Sequence, residues 1–266
     1  MTGIYAPESQ RGLRMPKLTN GRYRARIAIT KSDIRAAQRL RHLAFAPTLA
    51  ATGDAADIDA DRFDDFCTHV LVEEVATDRL VCCFRMLQMA SGDEISRSYS
   101  AQSYDISALE AYNEPIIEMG RFCIHPQVMD SDVIRVAWAA MARYVDENNI
   151  KFMFGCVSFQ GLDAAAYSDV FALLQQKYLA PDHYYPLEKA RDIRRFCEYA
   201  ADGGFDRRQA LRQMPPLLRT YLAMGAWVSD HAVVDVQMNT LHVFIGLEIS
   251  AIPPARKQLL RALAPA

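Results

Sequence analysis

Apolar residues recur at two spacings along this 266-residue chain, and the order in which those spacings alternate constrains the fold more than any single motif does. Segments with every second residue apolar, or with concentrated β-branched and aromatic residues, are typical of strands. Such segments lie at 23–30, 69–75, 80–87, 116–124, 152–159, 232–236 and 241–249. Apolar residues three or four positions apart predict helices at 32–46, 133–148, 164–178 and 216–224. The mixed order indicates an α/β protein whose sheet carries helices on both faces.

The chain length fits one elaborated domain with a less regular segment at each end. Residues 1–21 contain several basic side chains but little periodic apolar content, so we expect a flexible basic arm there. The domain itself is predicted over 22–250. The tail at 251–266 combines basic residues with leucines, and it is predicted to be a short amphipathic segment able to lie on an anionic membrane surface.

Composition excludes several classes of function. Thirty basic and 32 acidic residues leave a formal net charge of −2, so the chain is not the polycation typical of nucleic-acid binding. The six cysteines form no C-x-x-C pair and the histidines do not follow H-E-x-x-H spacing, so we expect no bound metal. No apolar stretch approaches the ~20 residues of a membrane-spanning helix. We therefore expect a cytoplasmic protein, with peripheral association with the inner membrane as a further expectation.

A carboxylate and a guanidinium lie three residues apart, at Glu118 and Arg121, late in a predicted strand. Removing a carboxylate from water is costly unless the charge is compensated, so this pair indicates either an ion pair or a functional site. Residues three apart on a regular strand point to opposite faces. We therefore expect one of the two side chains in a cleft and the other on the far side of the sheet.

Further charged residues are expected to join this pair. An arginine within a central strand needs a carboxylate nearby, and the loop at 52–65 supplies six aspartates. A cluster of arginines and carboxylates can hold an amino acid by its carboxylate and its ammonium. A purely structural network of ion pairs is the alternative interpretation for each residue. The residues assigned to this cluster are Arg41, Asp61, Asp64 and Arg85.

This pattern resembles the acyl-homoserine-lactone synthase superfamily, a branch of the GNAT-type N-acyltransferases. The matching residues are Arg41 and Phe45 as R-x-x-x-F, Asp61 and Asp64 as D-x-x-D, the strand arginine Arg85, and Glu118 and Arg121 as E-x-x-R. Longer blocks are similar to the L-ornithine Nα-acyltransferase family, whose members make lyso-ornithine lipid. These blocks include FDDFCTHVLVEE, SYSAQSYDISAL, EMGRFCIHP and MPPLLRTYLAMGAWV.

The resemblance implies a GNAT-like fold with a mixed, mostly antiparallel, twisted sheet. It also implies an enzyme that moves a 3-hydroxyacyl chain from acyl carrier protein to the α-amine of ornithine. An α-ammonium becomes a nucleophile only after losing a proton, and Glu118 is the expected general base, directly or through water. Arg121 is expected beside it in the catalytic site, and backbone N–H groups where the strand parts from its neighbour would stabilise the oxyanion. The substrate-binding residues would be Arg41, Asp61, Asp64 and Arg85.

One loop departs from the pattern of coenzyme A-binding acyltransferases. Many GNAT enzymes hold the cofactor diphosphate with a glycine-rich loop, but here residues 127–132 read QVMDSD, with two acids and no glycine. Such a loop is poorly suited to a diphosphate. We therefore expect acyl carrier protein as the donor and no tightly bound cofactor. The basic residues predicted to contact the carrier protein are Arg135, Arg143, Arg191, Arg194 and Arg195.

Several alternatives stay open at this point. Glutamine or another amino acid can replace ornithine as the acceptor, and acyl-homoserine-lactone synthesis is a related activity. A catalytically silent fold that binds lipid or carrier protein is an alternative of another class. His125 and Asp130 also match the H-x-x-x-x-D pair of glycerolipid acyltransferases, but the glycine-and-glutamate phosphate block of those enzymes does not follow.

Overall fold

The computed structural model of the chain describes residues 18–45, 57–199 and 204–262. Most of the predicted basic arm, the first part of the acidic loop and the last four residues of the tail lie outside these ranges. Within them the chain forms eleven strands and six α-helices. In chain order the elements are β1 (Leu18–Asn20), β2 (Tyr23–Ile27), α1 (Lys31–Phe45), β3 (Thr68–Glu74), β4 (Leu80–Met89), β5 (Tyr104–Asp105), β6 (Ile116–Ile124), α2 (Ser131–Glu147), β7 (Phe152–Gln160), α3 (Ser168–Lys177), β8 (Leu187–Glu188), β9 (Ile193–Arg195), α4 (Arg207–Gln213), α5 (Pro216–Leu222), β10 (Trp227–Asp235), β11 (Thr240–Glu248) and α6 (Pro254–Ala262).

Nine of these strands form one mixed sheet in the order β1-β2-β3-β4-β6-β7-β11-β10-β9. Every neighbouring pair is antiparallel except β6 and β7, which are parallel. Strands β5 and β8 form a separate two-stranded pair. This arrangement confirms the predicted mixed, mostly antiparallel sheet.

Helices cover both faces of the sheet, as predicted. Helix α1 packs on β3, β4 and β6, over inward residues such as Leu71 and Cys83. Helix α2 packs on β1 to β4 from the opposite side, over Val70 and Phe84. Side chains alternate between the faces of a strand, which is why neighbouring residues join different layers. We call the two sides the α1 face and the α2 face.

The elements that the sequence analysis did not predict are short, charged or irregular. The arm predicted over 1–21 is wrong at its inner boundary, because Leu18 is buried and β1 pairs with β2. Strand β9 is an edge strand of three residues, and helix α4 buries only Ala210. Strand β10 begins at Trp227, five residues before its predicted start, because a register shift between Val228 and Ala232 breaks the alternation.

The C-terminal tail forms a helix that docks on the domain. Arg261 of α6 donates to both carboxylate oxygens of Asp146 on α2, at 2.9 Å each. Leu260 packs against the main core, whereas Leu259 stays 60% exposed. Part of the apolar side predicted to meet a membrane is thus used within the fold. Among the described residues, no helix is both long and apolar enough to cross a bilayer.

The two parallel strands separate partway along their length. The ladder between β6 and β7 runs from Ile116–Phe152 to Met119–Gly155 and ends there. At that last pair the backbones approach closely, because a Cβ atom on Gly155 would lie 2.4 Å from the carbonyl oxygen of Met119. Beyond it the strands diverge and leave a wedge in the middle of the sheet.

The close approach at Gly155 gives a stability prediction. Gly155→Ala should lower the free energy of unfolding by about 2 kcal/mol or more, since the obstacle is backbone and cannot rotate away. Gly120→Ala is the matched control in the same sheet, because its Cβ would meet only the Arg85 side chain at 3.6 Å. Chemical denaturation of both variants measures the difference. Equal stability of the two would contradict the predicted clash.

Candidate active site

A cavity of ≈ 390 Å³ occupies the wedge between β6 and β7. Its wall on the α1 face is largely polar and includes Tyr99, Glu118, Ser158, Asp235 and His242. Its wall on the α2 face is apolar and is formed by Met119, Val157, Leu217, Tyr221 and Ile245. The Tyr221 ring packs edge-on against Trp138 of α2 with centroids 5.2 Å apart, which closes the apolar end. The cavity therefore joins a polar compartment to an apolar one through the sheet.

Glu118 is the third residue of β6, one residue before the end of the β6–β7 ladder, and its buried side chain lines the cavity. Its Oε1 accepts from the backbone N–H and the hydroxyl of Ser100, at 2.7 and 2.6 Å. Its Oε2 accepts from the backbone N–H of Tyr99 at 2.7 Å. Each carboxylate oxygen can accept about two hydrogen bonds, so Oε2 retains one free acceptor site toward the cavity.

The environment of Glu118 favours proton uptake. Burial raises the pKa of the Glu118 carboxyl group, although the three hydrogen bonds and the positive charge of Arg85 oppose the shift. Among the described residues, no lysine or arginine forms an ion pair with Glu118. A carboxylate held by neutral donors and with a raised pKa is better suited to accept a proton than one neutralised by a guanidinium.

Arg121 occupies the same face as Glu118, contrary to the expectation of opposite faces. A register shift between β4 and β6 sets both Arg121 and Phe122 against Phe84, and Arg121 adopts a left-handed conformation with φ of 53°. This bulge resets the alternation of side chains. The guanidinium carbon of Arg121 lies 5.3 Å from the centre of the ring of Tyr99, the residue whose backbone N–H donates to Glu118.

Arg121 pairs with the acidic loop and not with Glu118. Its Nη2 donates to Asp61 at 3.2 Å, and its Nε lies 3.1 Å from a carboxylate oxygen of Asp59 without the angle of a hydrogen bond. Arg121 also lines the cavity, and its hydrogen bond and its positive charge act to lower the pKa of the Tyr99 hydroxyl against the larger effect of burial.

Three arginines and three aspartates form one buried network, which we call the arginine–aspartate cluster: Arg41, Arg85, Arg121, Asp59, Asp61 and Asp64. Arg41 binds Asp64 through two parallel hydrogen bonds of 2.7 Å. Arg85 binds Asp61 in the same two-pronged manner, at 2.6 and 2.8 Å, and also reaches Asp64 at 2.7 Å. The cluster joins α1, the 57–65 segment, β4 and β6.

The formal charges of the cluster cancel, and its members bind mainly one another. The structure brings together all four residues predicted to bind the substrate, and Arg85 and Arg121 line the cavity. Arg41 and Asp64 make their contacts inside the cluster instead, and both are almost fully buried. Burial alone would raise the pKa of Asp64, but its bonds to Arg41 and Gln38 and the charge of Arg85 hold it below its usual range.

The predicted carrier-protein residues fall into two separate groups. Arg135 and Arg143 lie on α2, where they pair with Asp132 and Glu147. Arg191, Arg194 and Arg195 lie around β9 at the far edge of the sheet, and the last two pair with Asp192 and Glu188. Because β6, β7, β11 and β10 stand between them, the five arginines do not form one basic patch.

The loop before α2 supplies the N-cap of that helix, Asp130. Asp130 accepts from the backbone N–H of Asp132 at 2.9 Å and from the Tyr23 hydroxyl at 3.0 Å. A carboxylate thus occupies the first turn, where a helix otherwise attracts anions. The geometry agrees with the poor suitability for a diphosphate that the sequence indicated.

Several residues of the site were not singled out from the sequence. Tyr99 and Ser100 lie in a polar stretch between two strands, and they hold Glu118 through contacts distant in sequence. Asp59 is one of six aspartates in the loop at 52–65, and no motif in the sequence distinguished it from the others. Asp235 and His242 line the cavity from the final hairpin. For these residues only the block SYSAQSYDISAL, which carries Tyr99 and Ser100, gave a signal.

The balance of charges in the cluster predicts a large effect of one neutralising substitution. Asp64→Asn would leave buried guanidinium groups with one carboxylate fewer and should lower the free energy of unfolding by about 3–5 kcal/mol. Since the pKa of Asp64 is lowered on folding, this stability is present above about pH 4 and is lost as the pH falls further.

The control for this prediction is Asp132→Asn, which breaks an exposed pair with Arg135 and should cost at most about 1 kcal/mol. Denaturant unfolding at pH 7 and at several lower pH values compares both variants with the unaltered chain. If Asp64→Asn proved no more harmful than Asp132→Asn, the cluster would not stabilise the fold.

Comparison with known proteins agrees with this architecture. Residues 40–139 match the acetyltransferase (GNAT) domain. The L-ornithine N(alpha)-acyltransferase of Rhodobacter capsulatus is 34% identical over 245 residues, covering 89% of this chain and 93% of that protein. The enzyme of that name from Brucella abortus is 30% identical over 249 residues, covering 87% and 86%.

Among solved structures, an N-acyl amino acid synthase from uncultured soil microbes gives a TM-score of 0.49 at 11% identity, covering 86% of this chain and 92% of that one. The domain match and the curated relatives confirm the GNAT fold and the acyltransferase class predicted from the sequence. The identity to the Rhodobacter capsulatus protein extends over nearly the whole of both chains, and this chain therefore belongs to the L-ornithine N(alpha)-acyltransferase family.

Proposed function

We propose that this enzyme transfers a (3-hydroxy)acyl chain from acyl carrier protein to the α-amine of ornithine and thereby makes a lyso-ornithine lipid. The observation that carries the proposal is the position of Glu118, a buried carboxylate on the wall of a cavity that is polar on one side and apolar on the other. The names of the curated relatives support ornithine as the acceptor.

The reaction needs a general base for the α-ammonium and hydrogen-bond donors for the oxyanion, and the cavity offers groups for both. The free acceptor site on Glu118 Oε2 takes a proton from the α-ammonium, directly or through one water. The resulting amine attacks the thioester carbon, and the carbon–sulfur bond breaks as the amide forms. Past Met119 and Gly155 the facing edges of β6 and β7 have left their common ladder, so their backbone N–H groups can stabilise the developing oxyanion. The departing sulfur takes up a proton as free phosphopantetheine thiol.

Arg121 is proposed to orient the amino acid by its carboxylate. Arg121 lines the cavity, and the Asp59 and Asp61 side chains hold its guanidinium in place for this contact. Arg85, Asp61, Asp64 and Arg41 are proposed to act on the substrate mainly through this positioning. The apolar wall between Met119 and Tyr221 would receive the first part of the acyl chain.

Acyl carrier protein is the proposed donor because the first turn of α2 is occupied by the Asp130 carboxylate. A coenzyme A diphosphate at that place would meet a negative charge, whereas the single phosphate of phosphopantetheine avoids most of that repulsion. Arg191 is exposed, and no acid pairs with it among the described residues. It is therefore a better proposed contact for an acidic carrier than the paired arginines of α2.

We propose a cytoplasmic enzyme that works next to the inner membrane, because an amphiphilic product must leave for a lipid phase. The docked helix α6 offers Leu259 and the basic residues Arg256 and Lys257 at the surface. These groups suit brief contact with anionic lipid better than stable anchoring.

The role of Glu118 is tested by Glu118→Gln. Because the amide is no base, acylation of ornithine by acyl carrier protein thioester should fall about 10²- to 10⁴-fold, measured as amide formation by mass spectrometry. The rate of the unaltered enzyme should increase as the pH rises through the raised pKa of Glu118. The pH–rate profile of the variant should lack this rising part.

Thermal unfolding is the control for Glu118→Gln, because the amide keeps one oxygen for the two donors of Ser100, whereas its NH2 group replaces the oxygen that accepts from the Tyr99 N–H. A variant that melts near the unaltered protein but loses turnover supports the base. Retained turnover with an unchanged pH profile would remove Glu118 from that role.

The donor assignment predicts a preference between two thioesters with the same acyl chain. The acyl carrier protein thioester should give a kcat/KM at least about 10-fold above that of the coenzyme A thioester. Asp130→Asn should improve use of the coenzyme A thioester selectively, since it removes the negative charge at the α2 terminus. Equal use of both donors by the unaltered enzyme would defeat the assignment.

A further inference from the structure

The cavity contains a second carboxylate besides Glu118 that no arginine or lysine of the described residues neutralises. Among the described residues, four arginine, aspartate or glutamate side chains line this cavity: Arg85, Glu118, Arg121 and Asp235. The two arginines are neutralised by the aspartates of the arginine–aspartate cluster. Glu118 is held by three neutral donors. Asp235 has no cation paired with it among the described residues.

Asp235 is held in place by the turn that it starts. It is the last residue of β10, and its Oδ1 accepts from the backbone N–H of Met238 at 3.0 Å. That bond fixes the side chain at the beginning of the β10–β11 hairpin. Among the described residues, Oδ2 has no hydrogen-bond partner, so it remains an acceptor at the cavity wall.

The neighbouring histidine does not neutralise this carboxylate. His242 is buried beside it on β11, and burial lowers the pKa of His242 to about 4 despite the opposing charge of Asp235. His242 is therefore uncharged at neutral pH. The negative charge of Asp235 remains available to a cation that enters the cavity.

Asp235 is within electrostatic reach of the other groups of the polar compartment. Burial raises the pKa of the Cys156 thiol to about 12, and the charges of Glu118 and Asp235 both add to that shift while Arg121 opposes it. Burial likewise raises the pKa of Tyr99, with Arg121 and Asp235 acting in opposite directions. Glu118, Arg121 and Asp235 all line the same cavity as Tyr99 and Cys156.

A basic amino acid carries three charges into this cavity. Its carboxylate needs a cation, its α-ammonium must reach the base and the thioester, and its side-chain ammonium needs a second anion that is not the base. Arg121 and Glu118 meet the first two needs in the proposed function. We propose that Asp235 binds the side-chain ammonium of the acceptor through its Oδ2 and thereby makes the enzyme select basic over neutral amino acids. This inference rests on the proposed function for the site but concerns a different residue.

The test compares L-ornithine with L-norvaline, which has the same carbon chain and lacks the terminal amine. The variant is Asp235→Asn, which keeps an oxygen for the Met238 N–H and removes the charge. The matched control is Asp163→Asn, an exposed aspartate whose Oδ1 accepts from the Ala165 N–H at 3.0 Å in the same manner. Acylation kinetics and calorimetric binding of each amino acid are measured for all three proteins.

Asp235→Asn should raise both the KM and the Kd for ornithine about 10- to 100-fold, the usual range for loss of one charged hydrogen bond. Its kcat should change little, and its constants for norvaline should stay within about 2-fold of the unaltered enzyme. An equal loss with both amino acids would show a structural role only and would overturn the proposal. Unchanged ornithine constants would overturn it as well.

Binding separates this proposal from the proposed function. If the unaltered protein binds ornithine in preference to norvaline, and Asp235→Asn abolishes the preference, the Asp235 site stands even where no acyl transfer follows. If acyl transfer occurs but the unaltered protein binds and uses both amino acids equally, the Asp235 site fails while the acyltransferase activity remains.

Discussion

The separation of β6 from β7 is the constraint on which the site depends. A parallel pair within a sheet normally continues its hydrogen bonds to the ends of both strands, and here the ladder stops after Met119 and Gly155. The missing Cβ at Gly155 lets the two backbones meet closely at the last pair. Everything that the cavity offers, from Glu118 to the apolar wall at Tyr221, lies where the sheet is open.

The charged side chains beside the cavity are buried in low-dielectric surroundings, and the protein stabilises them in two different ways. The arginine–aspartate cluster cancels charge by ion pairs, which fixes α1 and the 57–65 segment against β4 and β6. Glu118 is stabilised by uncharged donors from Tyr99 and Ser100 instead. An ion pair would have lowered the pKa of Glu118, so only the second solution leaves it able to take up a proton.

The sequence was sufficient for the regular elements and for the residue types of the site, but not for their geometry. The predicted bounds of β6 match the structure, because the segment lies between Pro115 and Pro126 and begins and ends with apolar residues. The bulge at Arg121 could not be predicted, because a left-handed φ at an arginine leaves no mark in the local pattern. Strand periodicity alone wrongly placed Glu118 and Arg121 on opposite faces, and the ion-pair partners of Arg121 lie about sixty residues away in the sequence. The motifs pointed to residues that the structure brings together, whereas contacts between distant segments determine how those residues pair.

A cavity that crosses a sheet suits a reaction whose substrates differ so strongly in polarity. An amino acid with several charges loses much solvation unless polar groups replace water, and an acyl chain gains by leaving water. The α1 face supplies Arg121, Glu118 and Asp235, and the α2 face supplies Met119, Leu217 and Tyr221. In the proposed function the two substrates would meet at the gap between the strands. Glu118 and the unpaired strand edges lie at that gap, so in the proposed function binding of each substrate in its favoured compartment would also bring the amine to the thioester.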